Sequence, residues 1–564
     1  MTSLAPPPDT SAPPASVAAA LRARAEDCAE RIFLRAGDAT WTFAAAYREA
    51  CRYANLFLAR RGDGPFHVGV LMDNLPAFVF AELGCALAGA ALVGLNPTRT
   101  GEALARDVDY ADCQLILTET RYADQLRAAI GDRLPVLLAD GPAPSLDAAL
   151  AEVAHRDPGV DVAADALLMI VFTSGTTRAP KGVLNSQGRL MMLGWGACAH
   201  MCHATADDVI YCAMPLYHAN AQVLAFAPPL VSGASLALAQ RFSKSQFLAD
   251  VRRYGATLFN YVGNPLAYIM ETPAQPDDAD NPLRLAYGNE APRQYIAAFA
   301  ERFACQVIDG YGASEVGVGF SRTADDPARS LGRAPGVKII GEDGRECPPA
   351  RLDGAGRVLN ADQAVGEIVN TNGRFLFEGY YKDAQATAER TRDGWFRTGD
   401  LGYADADGYI YFAGRDAEWI RVGGENFLAR PVEEALAQHP DVLLVSVYGV
   451  PDPEAGDQVM AALVLQPGAR FDPTAFSRFI DDHRALPPRW RPTFIRVAAQ
   501  LPMTATNKIV KRALRREKFL VDRIGDPLFW RRRGADAFAP FTATDLDALR
   551  ARFTNAGYAD RLEE

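Results

Sequence analysis

From residue 17 to about residue 400, short apolar runs recur between Ala- and Leu-rich stretches whose apolar residues return every three or four positions. The runs HVGVLM, QLILTE, LPVLLA, ALLMIVF, DVIYCAM and ATLFNYV each predict a strand, and the stretches between them predict covering helices. Such alternation predicts an α/β architecture of parallel sheets flanked by helices. From Val365 the texture changes to Gly-punctuated strands, GEIVNTNG, GWFRTGDLGY and DGYIYFAGR, which predict an antiparallel, barrel-like element. Beyond Gly414 a smaller α+β unit is expected. There RPVEEALAQHP predicts a helix with Pro431 near its first turn, and VLLVSVYGV and VMAALVLQPG predict strands. The expected organisation is a lead over 1–16, a large domain over 17–414, a hinge over 415–419 inside GRDAEWIRVGGEN, and a small mobile domain with a tail over 420–564.

Composition narrows the class. At 564 residues the chain exceeds what one core supports. The first sixteen residues carry no positive charge and no apolar run, so they read as a disordered lead and not as a signal peptide. The longest apolar run, Leu83 to Leu95, has 13 residues, short of the ~20 that span a bilayer, and predicts a buried core helix. Nine scattered cysteines suit a reducing compartment, so the expected location is cytoplasmic. CAHMCH, Cys198 to His203, lacks a second ligand pair at zinc-like spacing and reads as core thiols.

A net charge of −11 argues against nucleic acid as a partner. The segment His483–Arg533 nevertheless holds 14 Lys and Arg against 3 Asp and Glu. It fits a solvated face, a polyanionic ligand, or peripheral contact with an anionic membrane, for which the Arg531–Arg533 triplet after PLFW is the candidate. Only seven of the 58 cations are lysines, so each lysine marks a place where a thin, compact charge was chosen over a guanidinium.

One of those lysines closes TSGTTRAPKG, Thr173 to Gly182, directly after ALLMIVF. A flexible, hydroxyl-rich loop hung on a buried strand and ending in a cation suits a phosphate chain. The spacing is not that of the common NTPase loop, because Lys181 is followed by Gly182 and no Ser or Thr is there for magnesium.

The loop resembles the signature of the adenylate-forming superfamily of acyl-CoA synthetases, luciferases and peptide-synthetase adenylation domains. Further ordered motifs extend the resemblance to Lys508: YGASE, RTGDLG, YIYFAGR and MTATNKIVKRALR. The resemblance implies the adenylate-forming fold, ATP and Mg²⁺, and CoA as co-substrate. It implies that Thr173, Ser174, Gly175, Thr176, Thr177 and Lys181 cradle phosphates. Gly288, Asn289, Glu290, Asp309, Gly310, Tyr311, Gly312 and Ser314 would line the nucleotide site, with the Tyr311 ring on adenine. Thr176 and Glu315 would serve the metal, Asp400 the ribose diol, and Arg415 the ribose and phosphates. Lys508 would neutralise charge developing on the α-phosphate, and the face at Gly423, Gly424 and Glu425 would receive the thiol after the small domain rotates.

Within that superfamily, GNEAP and GGEN are similar to the long- and very-long-chain fatty acyl-CoA synthetases, including the fatty-acid transport protein-like branch. MPLYHANAQ resembles their acyl-tunnel segment, which places His218 near the reacting carboxylate, Asn220 among the substrate residues and Gln222 at a gate. Two positions depart from the family pattern. Arg178 stands where Gly or Ser is usual, and Ala417 where many relatives carry a charged hinge residue, which leaves the hinge to Gly423 and Gly424 or to the backbone alone. The expected activity is ATP-dependent activation of a fatty acid to acyl-AMP, then thioesterification to CoA. The alternatives are a CoA ligase for a medium-chain, aryl or carnitine-like acid, a fatty acyl-AMP ligase that loads a carrier protein, and a non-catalytic nucleotide-binding lipid-uptake protein. A homodimer is compatible with all of them.

Overall fold

The structure is a computed structural model. It describes residues 12–563 except 143, 174–179, 321–325, 328–329, 355–357, 416–418, 424, 455 and 505–506. By their contacts the residues fall into two compact units, one of 1–316 with 376–389, the other of 317–375 with 390–564.

The first unit contains the two sheets that the apolar runs predict. One orders its strands Val136–Leu138, Cys113–Thr118, His67–Leu71, Ala91–Gly94, Leu167–Phe172 and Gly182–Ser186, all parallel except the last. The other orders Gln306–Gly310, Leu285–Asn289, Leu258–Val262, Val209–Cys212, Ser235–Leu238, Ile32–Ala36 and Ala39–Thr42, again with one antiparallel edge. Their near-continuous apolar composition follows from burial on both faces. Ser16, placed in the lead by the sequence reading, caps the first helix, Val17–Asp27, where its hydroxyl accepts from the Ala19 amide at 3.1 Å.

The run Leu83–Leu95 is not one helix. Helix Pro76–Ala88 ends at Gly89, whose φ of 68° is left-handed, and strand Ala91–Gly94 follows at once. Hydropathy cannot distinguish a buried helix from a buried strand in a short run; the glycine does.

The second unit has a four-stranded antiparallel sheet in the order Val337–Ile340, Gly366–Asn370, Phe396–Ala404 and Ile410–Arg415. It also has a seven-stranded sheet centred on the long hairpin Val442–Asp452/Gly456–Leu465. That hairpin packs with helices Ala429–Leu436 and Pro473–Asp482 around Val447, Ala461, Leu463, Phe476 and Ile480. The tail, to which the sequence assigned no element, adds strand Leu528–Trp530 to this sheet and carries helix Ala543–Asn555, opened by a Thr542–Asp545 capping box.

Candidate active site

In the first unit three parallel strands end level with one another: Val262 pairs in register with Asn289, and Asn289 with Gly310. The carboxyl ends of parallel strands are where open α/β sheets bind ligands. Strand alternation puts Tyr261, Gly288 and Asp309 side by side on one face. The Tyr261 ring crosses Gly288 to donate to Asp309 Oδ1 at 3.0 Å, and the Ala291 amide donates to the same oxygen at 2.9 Å. A Cβ on Gly288 would lie 1.9 Å from the Tyr261 carbonyl oxygen, so only glycine fits between them. The next residue but one, Glu290, has a φ of 64°, and Tyr311, Gly312 and Ser314 lie in the irregular segment that follows the strand Gln306–Gly310.

The two flanks of the expected phosphate loop are paired. Phe172 pairs with Gly182 across antiparallel strands, and the Thr173 amide donates to the Lys181 carbonyl at 3.0 Å. Ser174, Gly175, Thr176, Thr177 and Arg178 lie outside the described residues. The Lys181 ammonium sits 4.9 Å above the Tyr380 ring, and the Tyr380 hydroxyl donates to Glu315 Oε1 at 2.8 Å. Tyr380 therefore links two residues that the sequence could connect only by motif. Beneath them Arg189, 4% exposed, donates to the carbonyls of Ser314 and Glu315 at 3.1 and 2.9 Å and to that of Leu376 at 2.5 Å. Burial pulls its guanidinium down to about 10, which leaves it charged at neutral pH. Glu378 accepts from the Ser186 amide at 2.7 Å and from its hydroxyl at 2.5 Å. Sequence reasoning missed Tyr380 and Arg189. FEGYY, Phe377 to Tyr381, was the available signal for the first; one arginine among so many carried none for the second.

His218 precedes the short helix Ala219–Ala221 and stacks obliquely on Tyr217 at 4.5 Å between ring centroids. Asn220 donates to the Tyr261 carbonyl at 3.3 Å and to Asn289 Oδ1 at 3.2 Å, and accepts from Asn260 at 3.0 Å. Gln222 differs from its expected place at a gate. It is 2% exposed, with its amide donating to Glu82 Oε2 at 2.9 Å and to the Leu216 carbonyl at 2.6 Å. Its bonds make it a brace: they tie the segment carrying His218 and Asn220 to helix Pro76–Ala88. Glu82 is fully buried, and desolvation pushes its carboxyl up to about 8, partly offset by the Gln222 bond.

In the second unit Asp400 is buried on strand Phe396–Ala404, with its amide donating to Thr398 Oγ1 at 3.1 Å, and it is the register partner of Arg415. Gly423 turns the hairpin between Trp419–Val422 and Glu425–Leu428 at a φ of 54°; Gly424 and Ala417 lie outside the described residues. Glu425 pairs with Arg489 at 3.1 Å. The Thr504 amide donates to the Lys508 carbonyl at 2.8 Å, and the Lys508 amide donates to Thr504 Oγ1 at 3.1 Å. Much of the basic segment is internally paired. Arg531 and Arg491 share Asp481, Arg532 meets Asp545, Lys511 meets Glu433, and Arg496 meets Glu517 and Asp526. Among the described residues no helix is long and apolar enough to cross a membrane.

Paired strands closed by Lys181, a glutamate linked to that lysine through Tyr380, parallel strands with level carboxyl ends and a separate α+β unit are the architecture of adenylate-forming enzymes. The chain belongs to the AMP-binding enzyme family, which it matches over 21–381, with the C-terminal domain of that family over 431–508. Its reaction class is acid–CoA ligation through an acyl-adenylate, with ATP, Mg²⁺ and CoA. Among its relatives, a steroid-22-oyl-CoA synthetase of Rhodococcus jostii is 45% identical over 94% of this chain and 96% of the relative. The medium/long-chain-fatty-acid–CoA ligase FadD17 of Mycobacterium tuberculosis is 45% identical over 80% of this chain and 87% of the relative. Among solved structures, an anthranilate CoA ligase in complex with anthranoyl-AMP shares the fold with a TM-score of 0.78 at 20% identity, covering 90% of this chain and 98% of that one.

Proposed function

We propose that this ligase activates a large apolar carboxylic acid, either a medium- to long-chain fatty acid or the side-chain acid of a steroid. The observation that carries the catalytic part is the Lys181–Tyr380–Glu315 cluster at the foot of the phosphate loop. Two equally similar relatives, at 45% identity each, support the two acid classes. The near-complete coverage of the steroid enzyme, 96%, favours the steroid acid.

A carboxylate is a weak nucleophile and its oxygen a poor leaving group. The acid must therefore attack the α-phosphorus of ATP and expel pyrophosphate before a thiol can displace AMP. In this reading Lys181 and the loop hold the β- and γ-phosphates, Asp400 accepts from the ribose hydroxyls, and Lys508 meets the charge that grows on the α-phosphate. Glu315 fits a magnesium site of the kind that uses one carboxylate and substrate phosphates, because among the described residues only its Oε1 accepts a hydrogen bond, from Tyr380. When bound, the metal supplies charge neutralisation for the departing pyrophosphate.

The test is a substrate panel with ATP and Mg²⁺, with and without CoA, in which AMP and thioester are measured. It spans fatty acids from acetate to long chains, a steroid side-chain acid, benzoate and a carnitine-like acid. Highest kcat/KM for an apolar acid, with thioester formed only when CoA is present, is expected. Preference for the aryl or betaine acid would overturn the substrate class, and turnover to the adenylate alone would make the enzyme an acyl-AMP ligase.

A further inference from the structure

The three asparagines beside the strand ends form a hydrogen-bond chain with a fixed direction. The Tyr261 carbonyl can only accept, so the group of Asn220 that faces it, at 3.3 Å, is the nitrogen. The same nitrogen lies 3.2 Å from the Asn289 side chain, so Asn289 must offer its oxygen there. The remaining Asn220 oxygen faces Asn260 at 3.0 Å, so Asn260 must offer its nitrogen. One backbone carbonyl thereby sets all three amides. The reverse orientation of any one would place like against like.

This chain leaves an acceptor at its head and a donor at its tail. The head, Asn260 Oδ1, is fully buried and has no hydrogen-bond partner among the described residues. The tail, Asn289 Nδ2, belongs to a partly exposed side chain, and among the described residues its nitrogen makes no hydrogen bond. That nitrogen lies beside the segment after the strand ends: a methyl placed on Gly310 or Gly312 would be 3.6 or 3.5 Å from it. The Met201 methyl closes the space at Gly310 from another side, 3.2 Å from the same built methyl on Gly310. A single oriented donor, with the Met201 methyl nearby, matches one end of the substrate, a carbonyl oxygen. It does not match a phosphate, which needs several donors.

We infer that Asn289 is a substrate-positioning residue whose side-chain N–H, held outward by the Asn260–Asn220–Asn289 chain, binds the oxygen that becomes the acyl carbonyl. This rests on the adenylation reading. In the first step one carboxylate oxygen attacks the α-phosphorus while the other becomes the carbonyl; a donor on the second selects which attacks. In the second step the thiolate adds to that carbonyl carbon, the electron pair moves onto the held oxygen, and it returns as AMP leaves with the C–O bonding pair. The same N–H would then stabilise the oxyanion.

The experiment compares binding of AMP with binding of a decanoyl-sulfamoyl-adenosine, which keeps the acyl carbonyl. Asn289→Asp replaces the donor with an acceptor of the same shape. We expect the acyl analogue to weaken by about 10- to 100-fold, as for losing one hydrogen bond and facing a carboxylate instead, with AMP unchanged. Asn220→Asp leaves Asn289 intact but puts an oxygen opposite it. Asn289 must then turn its N–H inward, and the same selective loss is expected. Equal weakening of AMP and analogue would assign Asn289 to the nucleotide and overturn the inference. A selective loss in Asn289→Asp with none in Asn220→Asp would overturn the chain as the orienting device, as would no effect in either. A wild-type protein that binds the analogue no better than AMP would instead overturn the fatty-acid arm of the proposed function.

Discussion

A carboxylic acid shut away from water, with one amide for company, keeps its proton. Glu82 is such a group. Gln222 donates to its Oε2, while Glu82 Oε1 and Gln222 Oε1 are both buried acceptors without a hydrogen-bond partner among the described residues. A proton on Glu82 removes the conflict between two acceptors on one pair. Its folded value of about 8 lies above the ordinary 4.5, so between those limits the folded protein holds a proton that the unfolded chain has released. Stability from this group is therefore fullest below 4.5 and declines as pH rises towards 8, by up to about 1.4 kcal/mol per pH unit. Glu82→Gln reproduces the protonated form and should flatten that slope. Denaturant midpoints of both proteins at several pH values check it, and parallel slopes would mean that Glu82 is ionised in the fold. The pair also changes what Gln222→Trp would do: it would break the brace behind His218 and lower activity for all acids, where a gate would discriminate by chain length. None of this was legible in the sequence, because HANAQ shows the spacing of Gln222 but not the helix that comes to meet it.

At the scale of elements, apolar runs located strands well wherever a run was bounded by polar residues, as in DVIYCAM and ATLFNYV. They failed at Leu83–Leu95, where helix and strand share one uninterrupted stretch and the only boundary is Gly89. The tail failed for the opposite reason. Leu528–Trp530 is a three-residue strand, too short for any period to show. Gly288 illustrates how a motif residue acquires a physical cause only from its neighbours. It lies in the strand between Tyr261 and Asp309, and its missing side chain is the space through which Tyr261 reaches across. Gly288→Ala should force the strands Leu258–Val262 and Leu285–Asn289 apart, since the 1.9 Å contact is with backbone. Overpacking usually costs about 1–3 kcal/mol, and a backbone clash lies at or beyond the upper end. A thermal melt should show a clear drop in midpoint together with loss of nucleotide binding; an unchanged melt would mean that the strands are not paired as described.

For the whole molecule, the residues that carry the proposed chemistry are divided between two units. Lys181, Glu315, Asn289 and His218 belong to the first; Asp400, Arg415, Gly423 and Lys508 belong to the second. The ordered motifs made the family legible before any coordinate, since five short patterns in the right sequence along the chain rarely coincide. The acid was not legible, because the residues proposed to meet the acyl carbonyl, and the chain that orients them, come from distant segments such as Asn220, Asn260 and Asn289. In the proposed function one chain performs two half-reactions with different charged groups, and Lys508 serves only the first. The direct measurement is Lys508→Ala assayed twice: pyrophosphate release from ATP and acid, and thioester formation from synthetic acyl-adenylate and CoA. Removing one group that stabilises developing charge should lower the first by about 10²–10³ and leave the second near the wild-type rate. Equal loss in both half-reactions, or none in the first, would contradict it.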